Sequence, residues 1–183
     1  MRNGNETDRF ASVVEPHLTD ALTLARWLTG DRSDAEDVVQ EACLRAFKAI
    51  GNFAGGSSRA WVLTIVRNTA FTWLAKNRKF KLVALDELSD DERELLEATS
   101  GTNNVVVPTP EDVLISRADL ASLNAAIADL SEEFREVLVL RDLQGLDYRE
   151  ISEITGAPLG TVMSRLTRAR QRLIRKLTVQ EEK

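Results

Sequence analysis

The chain of 183 residues contains one cysteine, Cys43, and one histidine, His17. One thiol excludes an intramolecular disulfide, and one thiol plus one imidazole cannot supply the ligands of a Cys/His zinc site. A nucleophilic dyad would have to pair Cys43 with His17. Cys43 lies among Val39, Ala42, Phe47 and Ile50, where a small buried thiol is the simpler reading. Gly55-Gly56 is not followed by the Lys and Ser/Thr of a phosphate loop. No catalytic residue, metal or cofactor is therefore expected, and no enzyme activity. No apolar run approaches the ~20 residues of a membrane span. The opening MRNGNETDRF lacks the apolar core of a secretory signal, so a cytoplasmic protein without membrane insertion is expected.

What is present belongs to a folded globular protein: 43% hydrophobic and 29% charged residues. The formal net charge is -5, with 24 Lys+Arg against 29 Asp+Glu, yet the charge is unevenly spread. The segment DELSDDERELLEATSGTNNVVVPTP is acidic at its start, then polar and proline-bearing, and reads as a linker. Both flanking parts carry helical periodicity and no credible strand alternation. The expected fold is all-α: an N-terminal helical domain over 1–85, an acidic flexible linker over 86–110, and a C-terminal helix-turn-helix domain over 111–183.

In the first half, Asp8 to Leu28 is a helical candidate broken or kinked at Pro16. Ser33 with Glu36 reads as the capping box of a second helix. Its buried stripe is Ala35, Val38, Val39, Ala42, Ala46 and Ile50, and Asp37, Gln40, Glu41, Leu44, Arg45 and Lys48 lie opposite. A third helix spans about Ser58 to Lys79. Its core side is Val62, Val66, Thr69 and Trp73, and the other sector holds Thr64, Arg67, Asn68, Phe71, Ala75 and Arg78. An aromatic ring among cations and amides suits single-stranded DNA, in which bases stack on rings and cations follow the backbone. In the preceding loop, NFAGGSSRAW, glycines and serines would let backbone close on an extruded base. The plainer alternative is an interhelical loop and one more core Phe.

The second half ends in GTVMSRLTRARQRLIRKL, which carries Arg165, Arg168, Arg170, Arg172, Arg175 and Lys176 and no acid. At 100° per residue, Val162, Leu166, Ala169 and Leu173 fall within about 40° of one line and form a buried stripe. Ser164, Thr167, Arg168, Gln171 and Arg175 face away. Hydroxyls and amides can bond base edges, and Arg can bond guanine or phosphate. Asp147 and Glu150 form a capping box for a short helix over Tyr148–Thr155, Gly156-Ala157-Pro158 supplies a tight turn, and Pro158 opens the basic helix. That order is the helix-turn-helix pattern, with Ile151 and Ile154 expected against Val162 and Leu166. The alternatives are a solvated basic helix or a membrane-surface helix, but the stripe has no Trp or Phe.

These segments together resemble an extracytoplasmic-function sigma factor of bacterial RNA polymerase. SDAEDVVQEACLRAFKAI is similar to the family's polymerase-docking helix, and NFAGGSSRAW with LTIVRNTAFTWLAKNRK to its promoter-melting segment. LSEEFREVLVLRDLQGLDYREISEITGAPLGTVMSRLTRARQRL is similar to its C-terminal helix-turn-helix. The resemblance implies a dissociable subunit that directs RNA polymerase core to promoters, in stress responses among others, under the control of an anti-sigma partner. It implies polymerase contacts from Asp37, Gln40, Glu41, Leu44 and Arg45. It implies minus-ten contacts, on melted single strand, from Asn52, Phe53, Gly56, Ser57, Arg67, Asn68, Phe71 and Arg78. Minus-thirty-five duplex would be read by Thr161, Met163, Ser164, Arg165, Thr167, Arg168 and Gln171. Two positions depart from the family's habit: Thr72 stands where Asp is frequent, and Met163 where Lys or Arg is. Met163 could meet a thymine methyl or the core. The competing function is a conventional helix-turn-helix regulator with an N-terminal sensing or dimerisation domain, binding duplex operators unaided.

Overall fold

The structure is a computed structural model and describes residues 2–87 and 113–181, with side chains over 6–78 and 120–178. Helix α1 (Arg2–Val14) runs into a 3₁₀ turn at Glu15–His17, and α2 follows over Leu18–Thr29. Pro16 explains the break, since it offers no N–H for an α-helical bond. Helix α3 covers Arg32–Ala49. Its N-cap is Asp31, not Ser33: the Asp31 carboxylate accepts from the N–H groups of Ser33 (2.7 Å) and Asp34 (3.1 Å). Ser33 already lies inside the first turn, so the expected capping box there is corrected by two residues. After a 3₁₀ turn (Ile50–Asn52) and a loop, α4 runs from Ser58 to Glu87, longer than its periodicity suggested.

The second part comprises α5 (Val113–Ala128), α6 (Glu132–Leu138) with a π-helical continuation over Val139–Leu143, α7 (Tyr148–Thr155) and α8 (Leu159–Glu181). No strand occurs among the described residues. The segment expected as a linker, 86–110, lies outside the described residues apart from its first two positions. Helix α7 has the expected boundaries. Asp147 accepts from the backbone of Arg149 and Glu150, and the Glu150 carboxylate returns to the Asp147 N–H at 2.9 Å. An N-cap of this kind contributes about 1 kcal/mol. Gly156 ends α7 at φ +68°, a left-handed conformation that a side chain resists, and turns the chain into α8.

Each part buries most of its anticipated stripe, with Val39, Trp73 and Leu173 only partly buried. Val38, Ala42 and Ala46 of α3 meet Leu24 and Leu28 of α2 and Val62 and Val66 of α4 in the core. Ile151 and Ile154 of α7 join Val162, Leu166 and Ala169 of α8, all fully buried or nearly so. Each such aliphatic side chain contributes roughly 1.5–3 kcal/mol by leaving water. Cys43 is half-buried beside this core rather than enclosed in it, and burial pushes its thiol pKa up.

The two parts also pack on each other, α4 along α7 and α2 along α6. Arg59 of α4 donates to the Asp20 carboxylate (2.7 Å) and, across the seam, to the Gln144 carbonyl (2.8 Å). Gln144 donates back to the Asp20 carbonyl at 2.7 Å. Arg135 of α6 caps the end of α5 through the Ile127, Ala128 and Leu130 carbonyls and reaches the Trp27 carbonyl of α2 at 3.0 Å.

Candidate nucleic-acid and polymerase interfaces

Helix α8 protrudes because α7 and the Gly156 turn hold its buried stripe. On the outer side Met163, Ser164, Thr167, Arg168 and Gln171 are exposed, and Thr161 is half-buried at the start. The Ser164 and Thr167 hydroxyls donate to carbonyls one turn back, those of Thr161 and Met163, which leaves their lone pairs outward. Met163 is 44% exposed, so it stands on the outer face and not in the core.

The six cations of this helix divide in a way the sequence does not reveal. Arg170 holds Asp142 (Nε–Oδ2 3.0 Å), Lys176 pairs with Asp129, and the Arg172 guanidinium lies 4.5 Å over the Phe134 ring. Arg165 turns toward α6, with Glu133 at 2.9 Å and Glu136 at 3.8 Å. Arg168 and Arg175 have no ion-pair partner among the described residues. The free positive charge of the outer face is therefore narrower than the composition suggested, and of the two arginines among the minus-thirty-five candidates, Arg165 and Arg168, only Arg168 is exposed and without an ion-pair partner among the described residues.

In the first half, the residues expected to read melted DNA fall into two groups. Asn52, Gly56 and Ser57 are exposed in the loop before α4, and Gly56 has φ +93°. Phe53 is half-buried, with its ring 5.2 Å from Trp61 and its carbonyl accepting from Arg9. Ser57 accepts from the Ala60 N–H at 3.1 Å and so caps α4. Along α4, Asn68, Phe71, Thr72, Ala75 and Lys76 line an open depression. Phe71 is half-buried against the core, and the Arg67 guanidinium lies 4.2 Å over its ring. Asn68 and Arg78 are exposed.

Arg67 and Arg78 do not face solvent as free cations. Arg67 donates to Glu136 (Nε–Oε2 2.9 Å), and Arg78 to Glu132. Glu136 has no exposed side-chain surface and lies between Arg67 of one domain and Arg165 of the other. Burial pushes its carboxyl pKa up, and the Arg67 bond and the charges of Arg67 and Arg165 pull back only in part. At Glu132 burial also opposes ionisation, but Arg78 and the neighbouring backbone and Arg135 charge outweigh it and leave the carboxyl below its usual range. The glutamates of α6 were absent from the sequence-based candidates. Their Glu-Glu-x-x-Glu spacing marks one helical face but not which arginines meet it.

On α3, all five candidate docking residues, Asp37, Gln40, Glu41, Leu44 and Arg45, are exposed. Leu44 is 58% exposed in their midst. Arg45 donates to Glu41 at 2.8 Å and thereby lowers its carboxyl pKa.

Residues 13–80 match the family model of sigma-70 region 2, and residues 120–173 that of sigma-70 region 4. The chain is 34% identical over 161 residues to the ECF RNA polymerase sigma factor SigE of Mycolicibacterium smegmatis, covering 88% of this chain and 58% of that relative's length. It is 34% identical over 146 residues to the ECF RNA polymerase sigma-E factor of Escherichia coli, covering 79% of this chain and 74% of the relative. The fold is similar to that of the sigma factor RpoE of Bartonella quintana, solved in complex with the anti-sigma factor NepR. The TM-score is 0.71 at 26% identity, over 93% of this chain and 97% of that one. With region 2 on α1–α4, region 4 on α5–α8 and relatives matched across both, the chain belongs to the extracytoplasmic-function sigma factors, the family that directs RNA polymerase to specific promoters.

Proposed function

We propose that this chain is a dissociable specificity subunit, not an enzyme, that docks on core polymerase through α3 and reads promoter DNA with α4 and α8. The observation that carries the DNA reading is the outer face of α8: Ser164, Thr167, Arg168 and Gln171 exposed together on a helix that α7 fixes from behind. This face suits the major groove of an upstream duplex element, and the exposed thioether of Met163 suits a thymine methyl. The depression around Phe71 and the loop over Asn52, Phe53, Gly56 and Ser57 suit bases of a melted minus-ten strand, with Arg67 and Arg78 following its phosphates. The exposed Leu44 ringed by Asp37, Gln40, Glu41 and Arg45 suits an apolar anchor with a charged rim. An anti-sigma protein is proposed as a further partner because the Bartonella relative was solved with one. The site of action is then the cytoplasm.

The test is reconstitution. Core polymerase plus this chain should initiate from promoters selected out of a random library, and the chain alone should not protect the same duplexes as a dimer. Tight dimeric binding to duplex operators without polymerase would point to a conventional regulator instead.

A further inference from the structure

Three observations converge on the seam between the domains. Two cations assigned above to the melted strand, Arg67 and Arg78, are occupied by Glu136 and Glu132 of α6. The Arg67 guanidinium simultaneously covers one face of Phe71, the ring assigned to stack on a base. The outer face of α8 remains exposed in this same arrangement.

We propose that α6 is an intramolecular latch whose Glu132 and Glu136 carboxylates occupy the phosphate-binding cations of α4, so that the closed chain masks its single-strand surface while leaving its duplex surface open. The proposal rests on the assignment of Arg67, Phe71 and Arg78 to single-stranded DNA. A carboxylate and a phosphate compete for the same guanidinium donors, so strand and latch exclude each other at Arg67. Further contacts steady the closed state: Arg59 to the Gln144 carbonyl, Gln144 to the Asp20 carbonyl, and Arg135 to the Trp27 carbonyl. Opening does not strand Glu136 as a lone buried charge. Arg165 belongs to the same domain as Glu136, stands 3.8 Å from it, and travels with it. Breaking a buried pair is costly mainly when one charge is left uncompensated. Arg165 lowers that cost and makes the latch reversible. Arg165 is on this view a positioning residue for α6 and not a free contact to the duplex.

The latch predicts an order of events. A closed chain can engage the upstream duplex through α8, and the melted strand gains Arg67, Arg78 and the open face of Phe71 only when α6 leaves α4. Apparent affinity for single strand is then the intrinsic affinity reduced by the fraction of open chains.

The experiment uses the full chain in a Cys43→Ser background, with dyes on Lys48→Cys and Glu153→Cys, one exposed site in each domain. Energy transfer reports closure. Anisotropy of a fluorescein-labelled oligodeoxythymidylate, measured on chains without the dyes, reports the single-strand surface. Glu132→Gln with Glu136→Gln should lower energy transfer and tighten oligonucleotide binding about tenfold. Arg67→Ala with Arg78→Ala should lower energy transfer equally and weaken oligonucleotide binding. Helical content by circular dichroism checks folding. If Glu136→Gln, at its buried position, unfolds the chain, Glu132→Gln alone, at a partly exposed position, should shift both readouts in the same direction by less. Wild-type energy transfer in folded glutamine variants overturns the latch, as does opening without any gain in oligonucleotide affinity. The assignment of the strand surface fails separately, if Arg67→Ala with Arg78→Ala leaves oligonucleotide affinity intact.

Discussion

At the residue scale, the consequences of each side chain follow from what it touches. Arg168 is exposed on the outer face of α8 and unpaired among the described residues. Arg168→Ala should weaken binding to upstream promoter duplex and lower the log–log salt slope by about one, the signature of one lost phosphate contact. An unchanged slope in titrations of the holoenzyme would remove it from the phosphate contacts. Phe71 has the harder role, half-buried beneath Arg67 and lining the α4 depression. Phe71→Ala should cost ~1–3 kcal/mol in open-complex formation while closed-complex binding persists. A large drop in melting temperature, with no selective effect on premelted promoters, would make it a packing residue instead. His17 hydrogen-bonds Ser58 at 2.8 Å and so ties the 3₁₀ turn to the start of α4. Burial lowers its pKa below the ordinary 6.5, and Arg59 adds to this against Asp20. The unfolded chain therefore takes up the proton first. The stabilisation is present above about pH 6.5 and lost as pH falls from there through the depressed folded value. Denaturant titrations between about pH 7.5 and 5.5 should show stability falling, and His17→Gln should flatten that fall.

At the scale of the element, the amphipathic faces set the packing and leave the proposed docking surface outward. Helix α3 turns Ala35, Val38, Ala42 and Ala46 inward and leaves Leu44 outward among charges. Leu44→Ala with Glu41→Arg should abolish assembly with core polymerase, because a truncated anchor commonly costs more than ~2 kcal/mol. Helical content should remain, since neither side chain lies on the buried stripe. A folded variant that still binds core at wild-type affinity would move the docking surface elsewhere. The helix-turn-helix was legible to within a residue, α7 with its expected bounds and α8 starting at Leu159 just after Pro158, because the Asp147–Glu150 box, Gly156 and Pro158 are local signals read by their own backbone. The cap of α3 was less legible. Asp31, Ser33 and Asp34 are all competent caps in one short stretch, and only the backbone path selects Asp31.

At the scale of the whole molecule, the closed seam joins domains that the sequence keeps apart. It combines apolar contact between α4 and α7 with the pairs Arg67–Glu136 and Arg78–Glu132 and with arginine-to-carbonyl bonds. Salt screens exposed charges more than buried ones, so the Arg78–Glu132 pair, with its arginine 63% exposed, should weaken first. Calorimetry should show one unfolding transition at low ionic strength and two resolved transitions at high ionic strength. Two transitions under both conditions would mean that the seam does not couple the domains.

The sequence by itself determined the all-α class, the core stripes of α3, α4 and α8 and the helix-turn-helix, because periodicity, caps and turn residues act over neighbouring positions, and its motifs carried the resemblance to the family. It also marked the face of α3 and the outer face of α8 correctly as exposed. Only the tertiary structure decided which cations are free. Arg67 and Glu136 are 69 positions apart, and no local pattern records that they meet. The same holds for Arg165, whose place on a basic helix suggested a DNA contact and whose guanidinium turns to Glu133 and Glu136. Charge is counted along the chain, but partners are assigned in space, where a buried carboxylate is costly unless a guanidinium stands beside it.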